Sequence, residues 1–267
     1  IIRQPDIVPI EYSFGCPYRC FFCDRVGFET GFHIKDVDSL VQEIERHSAG
    51  GVRAFWFCGA ALNINEDHIR NLCKEIIRRN IKTRWSGPLI PSDLRKSTYA
   101  LLRKAGCIHL KIGVETVNQD TLRSFGKNVT LQSIENCLRY SREAGIVNTV
   151  TFMVGLPRES ESDVMKKMAF IKKHRNLIDS VKVFVFQVRI GAPVYRAARE
   201  FGLVLRPEQN DDQRHIEYDS VNGESWSVLN KNHEMMLGQF RLFLKKNNIP
   251  EITPEECFIK LLNDQSN

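Results

Sequence analysis

Three cysteines fall within eight residues, in the run Cys16-Pro17-Tyr18-Arg19-Cys20-Phe21-Phe22-Cys23. The spacing is C-x3-C-x2-C. Thiolates so arranged hold iron–sulfur clusters, and a cubane normally takes four of them. Three leave one iron open, and an open iron can chelate a small molecule through an amine and a carboxylate. A missing fourth ligand therefore points to chemistry. A structural zinc site would want four ligands, usually from two CxxC-like units, and the sequence holds no second unit and no matching Cys/His pair. Incidental burial is the other bland reading, but three thiols this dense, flanked by Gly15 and Pro17, argue against it.

The other five cysteines are scattered, which excludes a disulfide scaffold in a chain of 267 residues. Cys73 and Cys137 fall on apolar helix faces and Cys107 closes a helix–strand turn, so all three read as core. Cys58 ends a strand and Cys257 stands alone in the tail. Either thiol could relay a radical or donate a hydrogen atom, and packing is the competing role.

The elements that must position the loop alternate between β and α patterns. Ile7 to Ser13 reads as a strand that runs straight into the cysteines. Val37, Leu40, Val41 and Ile44 then recur at helical spacing, followed by the strand Ala54-Phe55-Trp56-Phe57 and a helix marked by Ile69, Leu72, Ile76 and Ile77. Lys82 to Ser86 is a third strand, with Ser92 expected to cap the next helix and Gly106 to end it. Ile108 to Val114 alternates strictly, and Thr130 caps a helix that ends near Gly145. Val147 to Val154 and Val181 to Phe186 are strands five and six, separated by a helix over Val164 to His174 and followed by one from Ala192 to Phe201.

Six such units imply a parallel sheet with right-handed crossovers. They are too few to close an eight-fold barrel. The expected fold is α/β, an open partial (β/α)6 barrel with a small helical C-terminal extension. The core is expected over residues 1–204 and the extension over 205–267. In that extension, Arg206 to Gly223 reads as a polar loop or cap, and Leu229 to Asn247 as a helix burying Met235, Met236, Phe240 and Leu244. Ligands in parallel βα folds sit at the C-terminal strand ends. The cysteines follow strand one at once, which puts them on that rim. His109 and Lys111 share one strand face, and one of the two is expected to line the cavity.

Net charge is +6, without a run of five or six basic residues, so nucleic acid is not an expected partner. No signal peptide and no apolar run near the roughly 18 residues of a membrane span is present. The expectation is a cytoplasmic protein. The chain begins Ile1-Ile2 rather than with Met, which suggests a core cut from a longer protein.

The cysteine spacing, with Phe22 just before the third thiol, resembles the signature of the radical S-adenosylmethionine (SAM) enzymes. The likeness runs over residues 7–203. Ala105-Gly106-Cys107 through Gly113-Val114-Glu115-Thr116 is similar to that family's fourth strand. Thr151-Phe152-Met153-Val154-Gly155-Leu156-Pro157 with Glu159-Ser160 is similar to its fifth, and Arg189-Ile190-Gly191-Ala192-Pro193-Val194-Tyr195 to the loop after its sixth. The order most resembles the subgroup often fused to a cobalamin-binding domain.

The resemblance implies a [4Fe–4S] cluster on Cys16, Cys20 and Cys23. It implies that SAM chelates the open iron and is cleaved by one electron to a 5′-deoxyadenosyl radical, which takes hydrogen from an organic substrate. Cobalamin, if used, would be bound by a domain not in this chain. A small molecule or peptide is the implied substrate, and flavodoxin or ferredoxin the implied kind of reductant. Phe22 and Gly155 would lie near the adenine, Ser86 near ribose or carboxylate, Glu115 on ribose hydroxyls or the SAM amine, and Gln187 by adenine or substrate. Gly59, in Cys58-Gly59-Ala60, would stand beside the methionine amine, although the familiar Gly-Gly-Glu form is absent here. Two outcomes follow for the radical. One is methyl transfer or a similar modification in secondary metabolism. The other is epimerisation, with Cys257 or Cys58 as hydrogen donor. A tRNA-modifying enzyme and a non-catalytic iron–sulfur or zinc module are the alternatives from other classes.

Overall fold

The computed structural model describes residues 7–25, 31–124, 129–207 and 215–264. Strand β1 (Ile7–Glu11) leads into the short pair β2 (Ser13–Phe14) and β3 (His33–Ile34). Then follow α1 (Val37–Ala49), β4 (Ala54–Cys58), α2 (Glu66–Arg78), β5 (Arg84–Leu89), α3 (Lys96–Lys104) and β6 (Cys107–Glu115). The second half holds α4 (Gln119–Ser124), α5 (Leu131–Glu143), β7 (Val147–Val154), α6 (Glu161–Lys173) and β8 (Ser180–Val185). After β8 come β9 (Val188–Arg189), α7 (Pro193–Arg196), β10 (Leu203–Leu205), β11 (His215–Ile216) and β12 (Tyr218–Ser220). Two helices close the chain, α8 (Trp226–Lys246) and α9 (Pro254–Asp264).

The main sheet has the order β1-β4-β5-β6-β7-β8, and every neighbouring pair is parallel. This is the expected six-stranded α/β partial barrel. Alternation explains how the strands face. Phe55 and Phe57 of β4 are fully buried in the main hydrophobic core with Leu40, Leu72 and Trp85. Their neighbours Ala54 and Trp56 join a second cluster, built with Ile108 and with Phe258 and Leu262 of α9. The last helix therefore packs into the concave side of the sheet and plugs its lower half. Helix α8 packs against α6, β7 and β8, with Phe240 and Phe152 rings 5.9 Å apart.

Local signals account for most boundaries. Thr130 and Ser133 form a reciprocal capping box at the start of α5, and Ser160 and Asp163 do so at α6. Several expectations need correction. Ser92 does not cap α3, which begins at Lys96. Its hydroxyl instead accepts from Asn63 Nδ2 at 2.9 Å. Strand β5 does not stop at Ser86 but runs to Leu89. The single helix expected from Ala192 to Phe201 is a one-turn α7 plus a 3-10 turn, because Ala197 leaves helical geometry at φ −121° and ψ 32°. The polar stretch after Arg206 is not all loop: β10 pairs antiparallel with β12, and β11 with β9, while residues 208–214 lie outside the described set. Met235 points to solvent, whereas Met236, Phe240 and Leu244 are buried.

Candidate active site

The cysteine loop is clamped at both ends. Ser13 and Phe14 pair with Ile34 and His33, and Lys35 N–H donates to Tyr12 O at 3.0 Å. Gly15 adopts φ +71°, and a Cβ there would sit 2.0 Å from Gly31 O, so only glycine fits. Within the loop, Cys23 N–H donates to Cys20 O. Phe21 is the anchor: its ring stacks on Phe201 at 4.7 Å, and its carbonyl accepts from Val194 N–H at 2.9 Å. The segment after β8 thus holds the loop over the rim.

None of the three cysteines is in a disulfide. Cys20 is buried, while Cys16 and Cys23 are half-buried. Burial pushes the Cys23 thiol up, and Asp24 and Cys16 add to that shift. Metal binding would remove both protons outright. Among the described residues no three His, Cys, Asp or Glu groups gather tightly enough to hold one metal ion. Three thiolates that each take a different iron need no such convergence. Thiols outside any disulfide, two of them partly accessible, on a loop clamped at both ends fit a cluster with three protein ligands.

Phe22 and Cys23 open onto a cavity of about 570 Å³, whose walls also carry Lys111, Glu115, Thr151 and Gln187. Glu115 ends β6 at a bulge, where the register with β7 slips. It is buried, adopts φ +66°, and accepts from Thr151 Oγ1 at 3.0 Å. A left-handed conformation is costly for a residue with a Cβ. Gln187 follows β8 on the facing wall, beside Arg189, whose guanidinium pairs with Asp24 at 3.4 Å.

A sealed polar layer lies beneath. His109 is fully buried, with Nδ1 2.6 Å from Ser86 Oγ and Nε2 2.7 Å from Thr149 Oγ1. Thr149 Oγ1 is in turn 2.7 Å from Ser180 Oγ. Burial pushes His109 down to about 3, so the ring is neutral, one nitrogen donating and the other accepting. Of the pair His109 and Lys111, Lys111 reaches the cavity and His109 belongs to its floor.

The other candidates are placed elsewhere. Ser86 is spent in this layer. Gly59 adopts φ +114° against β2; a Cβ there would meet Ser13 O at 2.3 Å, and Ala60 N–H donates to Ser13 Oγ. Gly155 adopts φ +75° under His233, whose Cδ2 would lie 2.6 Å from a Cβ. The Gly155 N–H donates to Glu159 Oε2, and Glu159 forms a buried ion pair with Lys167, which also donates to Met153 O. That knot fixes the end of β7. Cys58 is half-buried at the end of β4, its thiol facing Trp56 O at 3.6 Å and pushed up by burial. Cys257 is buried on α9, the helix seated in the lower barrel. Neither thiol lines the cavity. Thr151, Lys182 and Phe184 also line it, and their alternate positions on β7 and β8 are the sequence signal for that.

Residues 10–171 match the Radical SAM superfamily. The chain belongs to that superfamily. Radical SAM enzymes use a [4Fe–4S] cluster and SAM. Among relatives, the anaerobic magnesium-protoporphyrin IX monomethyl ester cyclase of Cereibacter sphaeroides is 31% identical over 152 residues, covering 55% of this chain and 25% of the cyclase. The bacteriochlorophyllide d C-12(1)-methyltransferase of Chlorobaculum tepidum is 25% identical over 81% of this chain and 46% of its own length. The chain thus spans a quarter to a half of these relatives. In fold it is similar to the radical SAM methyltransferase TsrM of Kitasatospora setae, solved with cobalamin and a [4Fe–4S] cluster bound. There the TM-score is 0.65 at 22% identity, over 77% of this chain and 43% of TsrM. Among the described residues no helix is long and apolar enough to cross a membrane.

Proposed function

We propose that this chain is the radical-generating core of an enzyme that modifies an organic substrate, by methyl transfer or a related change. One observation carries the reading: Phe22 and Cys23 face the same cavity as Glu115 and Gln187. In this reading Cys16, Cys20 and Cys23 hold the cluster. With SAM bound, the cluster supplies a strong hydrogen-atom abstractor. Phe22 and Gln187 flank the adenine end, and Glu115, preset by its backbone and Thr151, accepts from the ribose hydroxyls or the SAM amine. Gly59 and Gly155 serve by letting the backbone pack closely, and Ser86 by holding His109. The sealed floor keeps water from below out of the cavity.

The methyltransferase relatives support methyl transfer, with cobalamin held by a domain outside this chain and a flavodoxin or ferredoxin of the cytoplasm as reductant. The hydrogen-donor reading for Cys58 or Cys257 draws less support, since neither thiol reaches the cavity.

Anaerobic reconstitution tests the proposal. Expected are about four irons per chain, a brown protein, and 5′-deoxyadenosine from SAM plus dithionite. Cys16→Ala, Cys20→Ala and Cys23→Ala should each abolish that product. A colourless protein binding one zinc would overturn the reading.

A further inference from the structure

The cavity beside the cysteine loop is unbalanced in charge. Lys111, Lys182, Arg189 and Arg241 line it against Asp24 and Glu115. Arg189 is paired with Asp24 and Arg241 pairs with Glu251 at 3.1 Å, which leaves the Glu115 carboxylate, hydrogen-bonded by Thr151, set against Lys111 and Lys182 in the lining. Lys111 and Lys182 are left over, neither drawn into a hydrogen bond or ion pair among the described residues. Lys182 stands 5.9 Å from the Phe184 ring and feels Glu256 only at a distance, since that carboxylate is held by Thr253 N–H at 2.7 Å.

The two lysines flank β7 on the concave face, Lys111 level with Thr149 and Lys182 level with Thr151. Strands two apart stand roughly 10 Å from each other, which two lysine stems can bridge toward a common point. Like charges in a confined cleft repel each other and concentrate anions there. Around them Met153, Phe184 and Leu237 give the cavity an apolar wall. Both arginines are already engaged, so the cations left to meet an anion are the two lysines. Two point charges beside an apolar wall suit a carboxylate on an apolar body.

We infer that Lys111 and Lys182 bind a carboxylate of the substrate, which is therefore an amphipathic carboxylic acid with its body against Met153, Phe184 and Leu237. The inference rests on the proposed function for the identity of the cavity as a substrate site. The anion site itself stands on the lysines. SAM also carries a carboxylate, and the test separates the two sources.

Reconstituted protein is titrated calorimetrically with indole-3-propionate, its neutral amide and SAM. Wild type should bind the acid about tenfold more tightly than the amide. Lys111→Met and Lys182→Met should each weaken the acid about tenfold and leave the amide and SAM within about twofold. Lys→Arg at either position keeps the charge and should keep the preference for the acid, which guards against a variant that merely misfolds. Equal binding of acid and amide by wild type would overturn the site. A loss of SAM affinity as large as that of the acid would assign the lysines to the cofactor and also overturn it. Acid binding through the lysines in a protein that makes no 5′-deoxyadenosine would sink the proposed function and leave the anion site standing.

Discussion

The ring of Phe258 lies 6.3 Å from the imidazole of His109 and 28° from parallel to it. Trp56 approaches both, 5.9 Å from Phe258 and 6.3 Å from His109. A side chain from the last helix therefore seals a polar layer that spans β5 to β8, and the C-terminal segment acts as the floor of the cavity on which the cysteine loop forms the lip.

Removing that seal has a size. Phe258 is fully buried, and Phe258→Ala deletes its ring from the cluster it forms with Trp56 and His109. The expected loss is about 3–5 kcal/mol in urea unfolding. A loss below about 1 kcal/mol would mean that α9 is not seated in the barrel.

Acid should destabilise the protein through His109. Its folded pKa is depressed to about 3 by burial, whereas an unfolded imidazole titrates near about 6.5. The unfolded chain thus binds the proton first, and stability present above about pH 6.5 is lost as pH falls toward about 3. His68 and His233, also lowered by burial, act in the same direction. His109→Gln should flatten the fall between pH 7 and 4, by at most about 1.4 kcal/mol per pH unit. Identical slopes for wild type and variant would show that His109 is not held neutral.

Glu115 pairs a carboxylate at the cavity with a backbone conformation that favours glycine. Glu115→Gly should relieve about 1 kcal/mol of strain yet weaken SAM about tenfold in the reconstituted protein. Stability and SAM affinity are expected to move in opposite directions. A parallel fall in both would make Glu115 a packing residue only.

The buried pair Glu159–Lys167 predicts a non-additive result. Lys167→Met strands a carboxylate that burial already pushes up, at a cost of about 3–5 kcal/mol. Adding Glu159→Gln should recover a large part of that loss. If the double variant is as unstable as the sum of the singles, the pair is not coupled.

The cysteine spacing, the period-two strands and the capping residues Thr130 and Ser160 are written in contiguous residues, so the sequence alone determined the three-cysteine loop, the order of six βα units and the place of that loop at the end of the first strand. It could also place Lys111 and His109 on one strand face. Which of the two meets the cavity was decided only by the tertiary structure. A bulge opposite Trp85 and Ser86 brings Ser86 alongside His109, and Phe258 covers that side of the ring. In the same way Gly155, a ligand contact by motif, lies beneath His233 from a helix far along the chain. Register slips and the docking of distant helices depend on contacts between segments that no local window contains. The sequence therefore placed the three cysteines at the lip, and only the folded chain selected which inward-facing side chains line the cavity beside them.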